Sequence, residues 1–111
     1  MYKKINRFHG HGSIRWVLAK GRTVRGRAMS LRYDEKQGGL KVAVVVSKKV
    51  AKSAVVRNRI RRRVYAVTKE LIHPQEARGG YVFLVYVAEV ATMSHEELRT
   101  HILKLIPKNT K

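Results

Sequence analysis

The chain contains no cysteine, which excludes disulfides, thiolate metal sites and cysteine nucleophiles together. Proline occurs only at Pro74 and Pro107, each where a helix is expected to have ended. No apolar run approaches the roughly 20 residues of a membrane-spanning helix. The start, Met1-Tyr2-Lys3-Lys4-Ile5-Asn6-Arg7, leads into no apolar segment of signal-peptide length. An arginine-rich, acid-poor start is shared with transit peptides, but the apolar positions that follow suit a short structural helix, and the expected location is cytoplasmic. The most telling scarcity is of acids. Only 7 Asp and Glu stand against 25 Lys and Arg, a net charge of +18 over 111 residues. Residues 1–69 hold 20 of the basic side chains and only Asp34 and Glu35 as acids, whereas residues 70–111 hold five of each sign. A packed domain with such one-sided self-repulsion calls for a polyanionic partner. Nucleic acid fits better than an anionic membrane, because no strongly basic amphipathic helix with an aromatic apolar face is present.

What is there is a globular pattern, 44% hydrophobic and 29% charged, without repeats or low-complexity tracts. One domain over residues 1–111 is expected, with a basic arm at 1–11 and a tail at 107–111. Ser13 is a candidate cap for a short helix to about Lys20, with Ile14, Val17 and Leu18 on one face and Gly21 as its stop. Residues 25–33 alternate as a strand, Arg27, Met29, Leu31 and Tyr33 against Ala28, Ser30 and Arg32, and Asp34 to Gly39 reads as a turn. Residues 40–47, around Val42-Ala43-Val44-Val45-Val46, and residues 81–88 read as short strands buried on both faces. Between them, Ser53 caps a helix to about Ile72. Its Val56, Ile60, Val64, Val67 and Leu71 fall within roughly 40° of one line at helical spacing. A capping box, Ser94-His95-Glu96-Glu97, opens a last helix with Leu98, Ile102 and Leu105 on one stripe. The expected order is α-β-β-α-β-α: an α+β two-layer sandwich of a small mixed sheet with helices, containing a βαβ crossover.

The densest chemistry lies on the long helix. Arg57-Asn58-Arg59-Ile60-Arg61-Arg62-Arg63 packs five arginines into seven residues. With Ile60 toward the core, Arg57 and Arg61 take one flank, Arg59 and Arg63 the other, and Asn58 and Arg62 point away. A solvated helix face normally intersperses acids at helical spacing, yet the nearest one downstream is Glu70. Phosphates are the natural relief for that repulsion. Upstream, Ser47-Lys48-Lys49-Val50-Ala51-Lys52 adds point charges beside the guanidinium forks.

Ser47-Lys48-Lys49 followed by Arg57-Asn58-Arg59-Ile60-Arg61-Arg62 resembles the bacterial ribonuclease P protein family, whose members commonly read Ser-Lys-Lys, a small spacer, then Arg-Asn-Arg-Ile-Lys-Arg. Arg7-Phe8 and Lys20-Gly21-Arg22-Thr23-Val24 fit further family elements in the right order, so the likeness runs from about residue 7 to 106. It implies a left-handed βαβ crossover, as in the second domain of a small-subunit ribosomal protein, where general rules predict right-handed. It also implies that the catalyst is RNA and the protein an accessory subunit of an endoribonuclease, monomeric within the complex and away from membranes. The catalytic RNA would meet Lys48, Lys49, Lys52, Arg57, Asn58, Arg59, Arg61, Arg62 and Arg63. A cleft between the first helix and the sheet would hold the single-stranded 5′ leader of precursor tRNA, through Phe8, Ile14, Trp16, Leu18, Ser30 and Arg32. Mg²⁺ in the holoenzyme would be held mainly by RNA. Two departures stand out. The spacer is one residue longer than the commonest form, with Ala51 where Gly is frequent. Aliphatic Ile14 and Leu18, with Ser30 and Arg32, occupy cleft positions that are usually aromatic, leaving Phe8 and Trp16 as candidate replacements for stacking.

Plainer readings stand beside these. Trp16 and Phe8 also suit packing at the edge of a core, and His9-Gly10-His11 lacks nearby Cys, Asp or Glu to complete a metal site. No protein catalytic site is legible: Asp34-Glu35 sits in an expected turn and Glu96-Glu97 serves a helix start. A ribosomal or other structural RNA-binding protein without a catalytic partner is the main alternative. A major-groove DNA reader is weaker, since Asn58 is the only evident base-reading side chain on the helix.

Overall fold

The computed structural model describes residues 17–72 and 78–106, the side chains of 35–39 and 78 apart. The arm at 1–11, with His9 and His11, the Ser13 cap, the candidate residues Phe8, Ile14 and Trp16, both prolines and the tail at 107–111 lie outside the described residues. The helical residues 17–20 (α1) lead into strands β1 (Arg22–Arg25), β2 (Met29–Gly39) and β3 (Lys41–Val46). Helix α2 (Ala54–Leu71) connects β3 to β4 (Arg78–Val85), and a 3-10 turn (Ala88–Ala91) precedes helix α3 (His95–Leu105). The strands form one mixed sheet in the order β1-β2-β4-β3, with β3 parallel to β4 and the other neighbours antiparallel.

Strand register decides which side chains meet. Across the parallel pair, Val42 stands opposite Tyr81, Val44 opposite Phe83 and Val46 opposite Val85. From the antiparallel side, Met29, Leu31 and Tyr33 meet Val85, Phe83 and Tyr81, and the rings of Tyr33 and Tyr81 stack with centroids 6.1 Å apart. All nine are buried and form one face of the sheet. That face is covered by Ile60, Val64 and Val67 of α2 and by Leu98, Ile102 and Leu105 of α3, every one buried. Each such side chain stabilises the fold by about 1.5–3 kcal/mol relative to exposure. The helices start where the sequence says they should: Ser53 Oγ accepts from Val56 N at 3.4 Å, and Ser94 Oγ accepts from Glu97 N at 3.1 Å.

Three expectations are corrected. First, the strand expected at 25–33 is a hairpin, β1 and β2, so the sheet has a fourth strand. Its turn is closed by Gly26 N donating to Met29 O at 3.0 Å. A Cβ at Gly26 would lie 3.0 Å from Met29 O and 3.1 Å from Leu105 Cδ2, which explains the residue type there. Second, Asp34 to Gly39 is not a turn but the continuation of β2. Pairing of Asp34 with Gly80 and of Gly39 with Arg78, around a register irregularity, holds this polar stretch extended against its local preference. Third, the valine run is not buried on both faces. Val45 is 38% exposed, because among the described residues the second face of the sheet is covered by α1 alone, through Val17 and Leu18 packed on Ala43, Val82 and Leu84.

Candidate nucleic-acid interface

Helix α2 is fixed from beneath by Ile60, Val64 and Val67, so its upper side is a rigid platform. Asn58, Arg59 and Arg62 are exposed there, while Arg57, Arg61 and Arg63 are half-buried on the flanks. The flanks and the top differ in their partners. Arg57 Nη1 donates to Ala51 O and to Lys52 O, each at 2.9 Å. Arg63 Nη1 donates to Val90 O at 2.7 Å, and its Nη2 donates to Met93 O. Arg61 Nη2 donates to Asn58 Oδ1, one turn away. Arg59 and Arg62 make neither a hydrogen bond nor an ion pair among the described residues. Lys48, Lys49 and Lys52 are exposed on the segment leading into the helix.

The nine residues expected to bind RNA are thus brought together on α2 and its approach, but not in equal roles. Two of the five arginines spend donors on backbone carbonyls. Acids do not intrude: ion pairs among the described residues gather at Glu70 and Glu97, with His95, Arg99 and His101. The first turn of α2 holds no acid either, so its helix dipole adds to the positive field.

The second face of the sheet collects the described candidates for the leader. Register lays out two rows across it. Thr23, Arg32, Val82 and Ala43 form one, and Arg25, Ser30, Leu84 and Val45 the other. Helix α1 sits over the first row, and Arg32 Nη1 donates to Leu18 O. Leu18, Ser30 and Arg32 therefore do share a face, though Ser30 is only 4% exposed. Beyond the second row, Tyr86 N donates to Ala28 O at 2.9 Å, which extends the β4 alternation, and the Tyr86 side chain is 44% exposed. Arg25, Val45, Leu84 and Tyr86 were missed as candidates. Their signal was strand parity, and it was masked because β3 and β4 are apolar at almost every position. Among the described residues, no group of three His, Cys, Asp or Glu is arranged to hold a metal ion, and no helix is long and apolar enough to cross a membrane.

A mixed four-stranded sheet under two helices, one carrying a cation platform that no acid answers among the described residues, defines an α+β protein whose charge suits a polyanionic partner. The ribonuclease P family model matches residues 2–109. The chain belongs to this family as the protein component of ribonuclease P, the accessory subunit of a tRNA-processing ribonucleoprotein endoribonuclease. It is 32% identical over 111 residues to the ribonuclease P protein component of a Pseudanabaena species, covering 97% of this chain and 94% of that one. It is 35% identical over 92 residues to the component from Thermus thermophilus, and there it spans about half, 53%, of the relative's length. The Staphylococcus aureus RNase P protein shares the fold at a TM-score of 0.73 and 17% identity, over 90% of this chain and 91% of that one.

Proposed function

We propose that the chain docks on the catalytic RNA of ribonuclease P through the top of α2 and the lysine segment before it. Lys48, Lys49, Lys52, Asn58, Arg59, Arg61 and Arg62 would meet phosphates and sugar edges, with Arg57 and Arg63 supporting the platform from its flanks. The observation that carries this is a cation array held rigid by a buried underside and left without acidic partners among the described residues. Neutralising several phosphates releases counterions and makes affinity fall steeply with salt. The second face of the sheet would take the single-stranded 5′ leader of precursor tRNA, with Leu18, Leu84 and Val45 as apolar floor, Arg25 and Arg32 for phosphates and Tyr86 for stacking on a base. Phe8, Ile14 and Trp16 remain candidates for the same role.

Catalytic help would then be indirect. Fixing the leader on one face and the catalytic RNA on another orients the scissile bond and offsets repulsion between two RNAs. Mg²⁺ in the holoenzyme, held mainly by RNA, supplies the charge stabilisation of phosphoryl chemistry. One copy of the chain working in the cytoplasm suffices for this scheme. The deciding experiment is cleavage of a precursor tRNA by the catalytic RNA at low Mg²⁺, with and without the protein. Stimulation that depends on leader length is expected, and absence of any stimulation rejects the proposal.

A further inference from the structure

Arg57 opens the arginine run but does not stand on top of it. Its one Nη1 amino group spends both hydrogens on neighbouring carbonyls, Ala51 O and Lys52 O, at 2.9 Å each. Those carbonyls belong to the segment that carries Lys48, Lys49 and Lys52. The same segment is turned on itself by Val50 N and Ala51 N, which donate to Ser47 O at 3.1 and 3.3 Å. The Val50 side chain packs against the edge of the core. At its far end, Ser53 O accepts from Arg57 N at 3.0 Å as the first bond of α2. The lysine segment is therefore anchored in the middle by an apolar side chain and at its end by one guanidinium group.

That arrangement has a consequence for binding. Lys48, Lys49 and Lys52 are exposed and make no ion pair among the described residues, so only the backbone beneath them sets where their charges stand. A loop that must be ordered when RNA arrives loses affinity relative to one already in place. Removing the Arg57 donors returns two carbonyls to water and frees the residues that aim the lysines. The longer spacer noted in the sequence makes such a clasp more necessary, since extra length adds conformational freedom.

We propose that Arg57 is a positioning residue, holding Lys48, Lys49 and Lys52 where they meet RNA phosphate groups and acting on affinity through them instead of through a phosphate contact of its own. This rests on the RNA-binding reading above. The test is a double-mutant cycle with the full chain and the catalytic RNA, measured across a salt series. Arg57→Ala is expected to weaken binding by about tenfold in the parent chain, and by less than about twofold once Lys48, Lys49 and Lys52 are all alanine. Amide exchange at residues 48–53 is expected to speed up in Arg57→Ala while residues 60–67 of α2 stay protected. Should that variant not fold, Arg57→Met keeps the packing of the stem without donors, and the same cycle applies. Equal losses in both backgrounds, each with the salt slope lower by about one, would show a direct phosphate contact and overturn the proposal. Unchanged affinity in both backgrounds overturns it as well. A parent chain that fails to bind the catalytic RNA refutes the underlying reading, whereas parent binding with additive losses refutes only the clasp.

Discussion

The two ends of α2 handle charge in opposite ways. Near its start, Arg59 and Arg62 stand exposed with no partner among the described residues. Near its end, Glu70 lies 3.2 Å from the His95 ring nitrogen and forms a longer ion pair with Arg99, at 3.9 Å, both on α3, while Glu97 faces His101 at 3.8 Å within α3. One helix thus carries a surface whose electrostatics are closed within the chain and another whose electrostatics are left open. The closed end docks a neighbouring helix. No acid among the described residues faces Arg59 or Arg62 at the open end, and strong hydrophobic burial beneath makes the self-repulsion there tolerable. Charge without internal partners on a rigid support is the basis on which we propose this surface for RNA.

The largest expected effect comes from attacking the support beneath the open end. Ile60 is fully buried between the ridge and the sheet. Ile60→Asp places a carboxylate where no described cation faces inward and is expected to abolish the cooperative fold, since an unpaired buried charge costs more than a domain of this size has to spare. A thermal melt followed by circular dichroism measures it, and a transition close to the parent's would show that the ridge is not held from below. Next in size is the ridge itself. Arg59→Ala combined with Arg62→Ala is expected to leave the melt within about 0.5 kcal/mol of the parent. The same pair should lower the slope of log affinity for the catalytic RNA against log salt by up to about two, one phosphate for each guanidinium. An unchanged slope would place RNA elsewhere on the molecule.

Much of this contrast was legible before any coordinates. The 3.6-residue spacing of Ile60, Val64 and Val67 fixed which way α2 faces, so Asn58 and Arg62 emerge on top and Arg57, Arg61 and Arg63 on the flanks as the wheel requires, while Arg59, expected on a flank, is exposed with the top set. The caps at Ser53 and Ser94 were equally readable, because capping is a local event. What escaped the sequence was non-local. Residues 34–39 are held extended by β4, some 45 positions away, and no feature of Asp-Glu-Lys-Gln-Gly-Gly announces that pairing. The open second face escaped for a similar reason: Val45 looks as apolar as Val44, and nothing local tells that, among the described residues, α1 packs beside Leu84 and leaves Val45 exposed. The commitment of Arg57 and Arg63 to carbonyls was hidden too, since an arginine that clamps backbone and one that awaits phosphate have the same letter.

Arg63 sharpens the contrast from within the arginine run. Its two amino groups reach Val90 O and Met93 O across 27 and 30 positions of sequence, tying α2 to the 3-10 turn ahead of α3. Val90 is buried, so removing the donor strands at least one carbonyl away from water. Arg63→Ala is expected to cost about 1–3 kcal/mol of stability by denaturant titration. It should have less effect on the salt slope than Arg59→Ala. A loss of slope without loss of stability would move Arg63 to the RNA-facing set.

The smallest effect belongs to the closed end. Glu70 and its partners are each about half exposed, so solvent screens their attraction and surface pairs of this kind contribute about 0.2–1 kcal/mol. Glu70→Gln is expected to destabilise the domain by about 0.5 kcal/mol in low salt and by less in high salt. Because the site faces α3 and lies at the opposite end of α2 from the arginine platform, the same substitution should leave the salt slope for catalytic RNA at the parent value. The prediction is deliberately asymmetric with the arginine pair: neutralising one acid raises the net charge, which by overall attraction alone would strengthen RNA binding. A slope that rose in step with net charge would therefore mean that RNA responds to the field of the whole protein and not to a defined set of guanidinium groups.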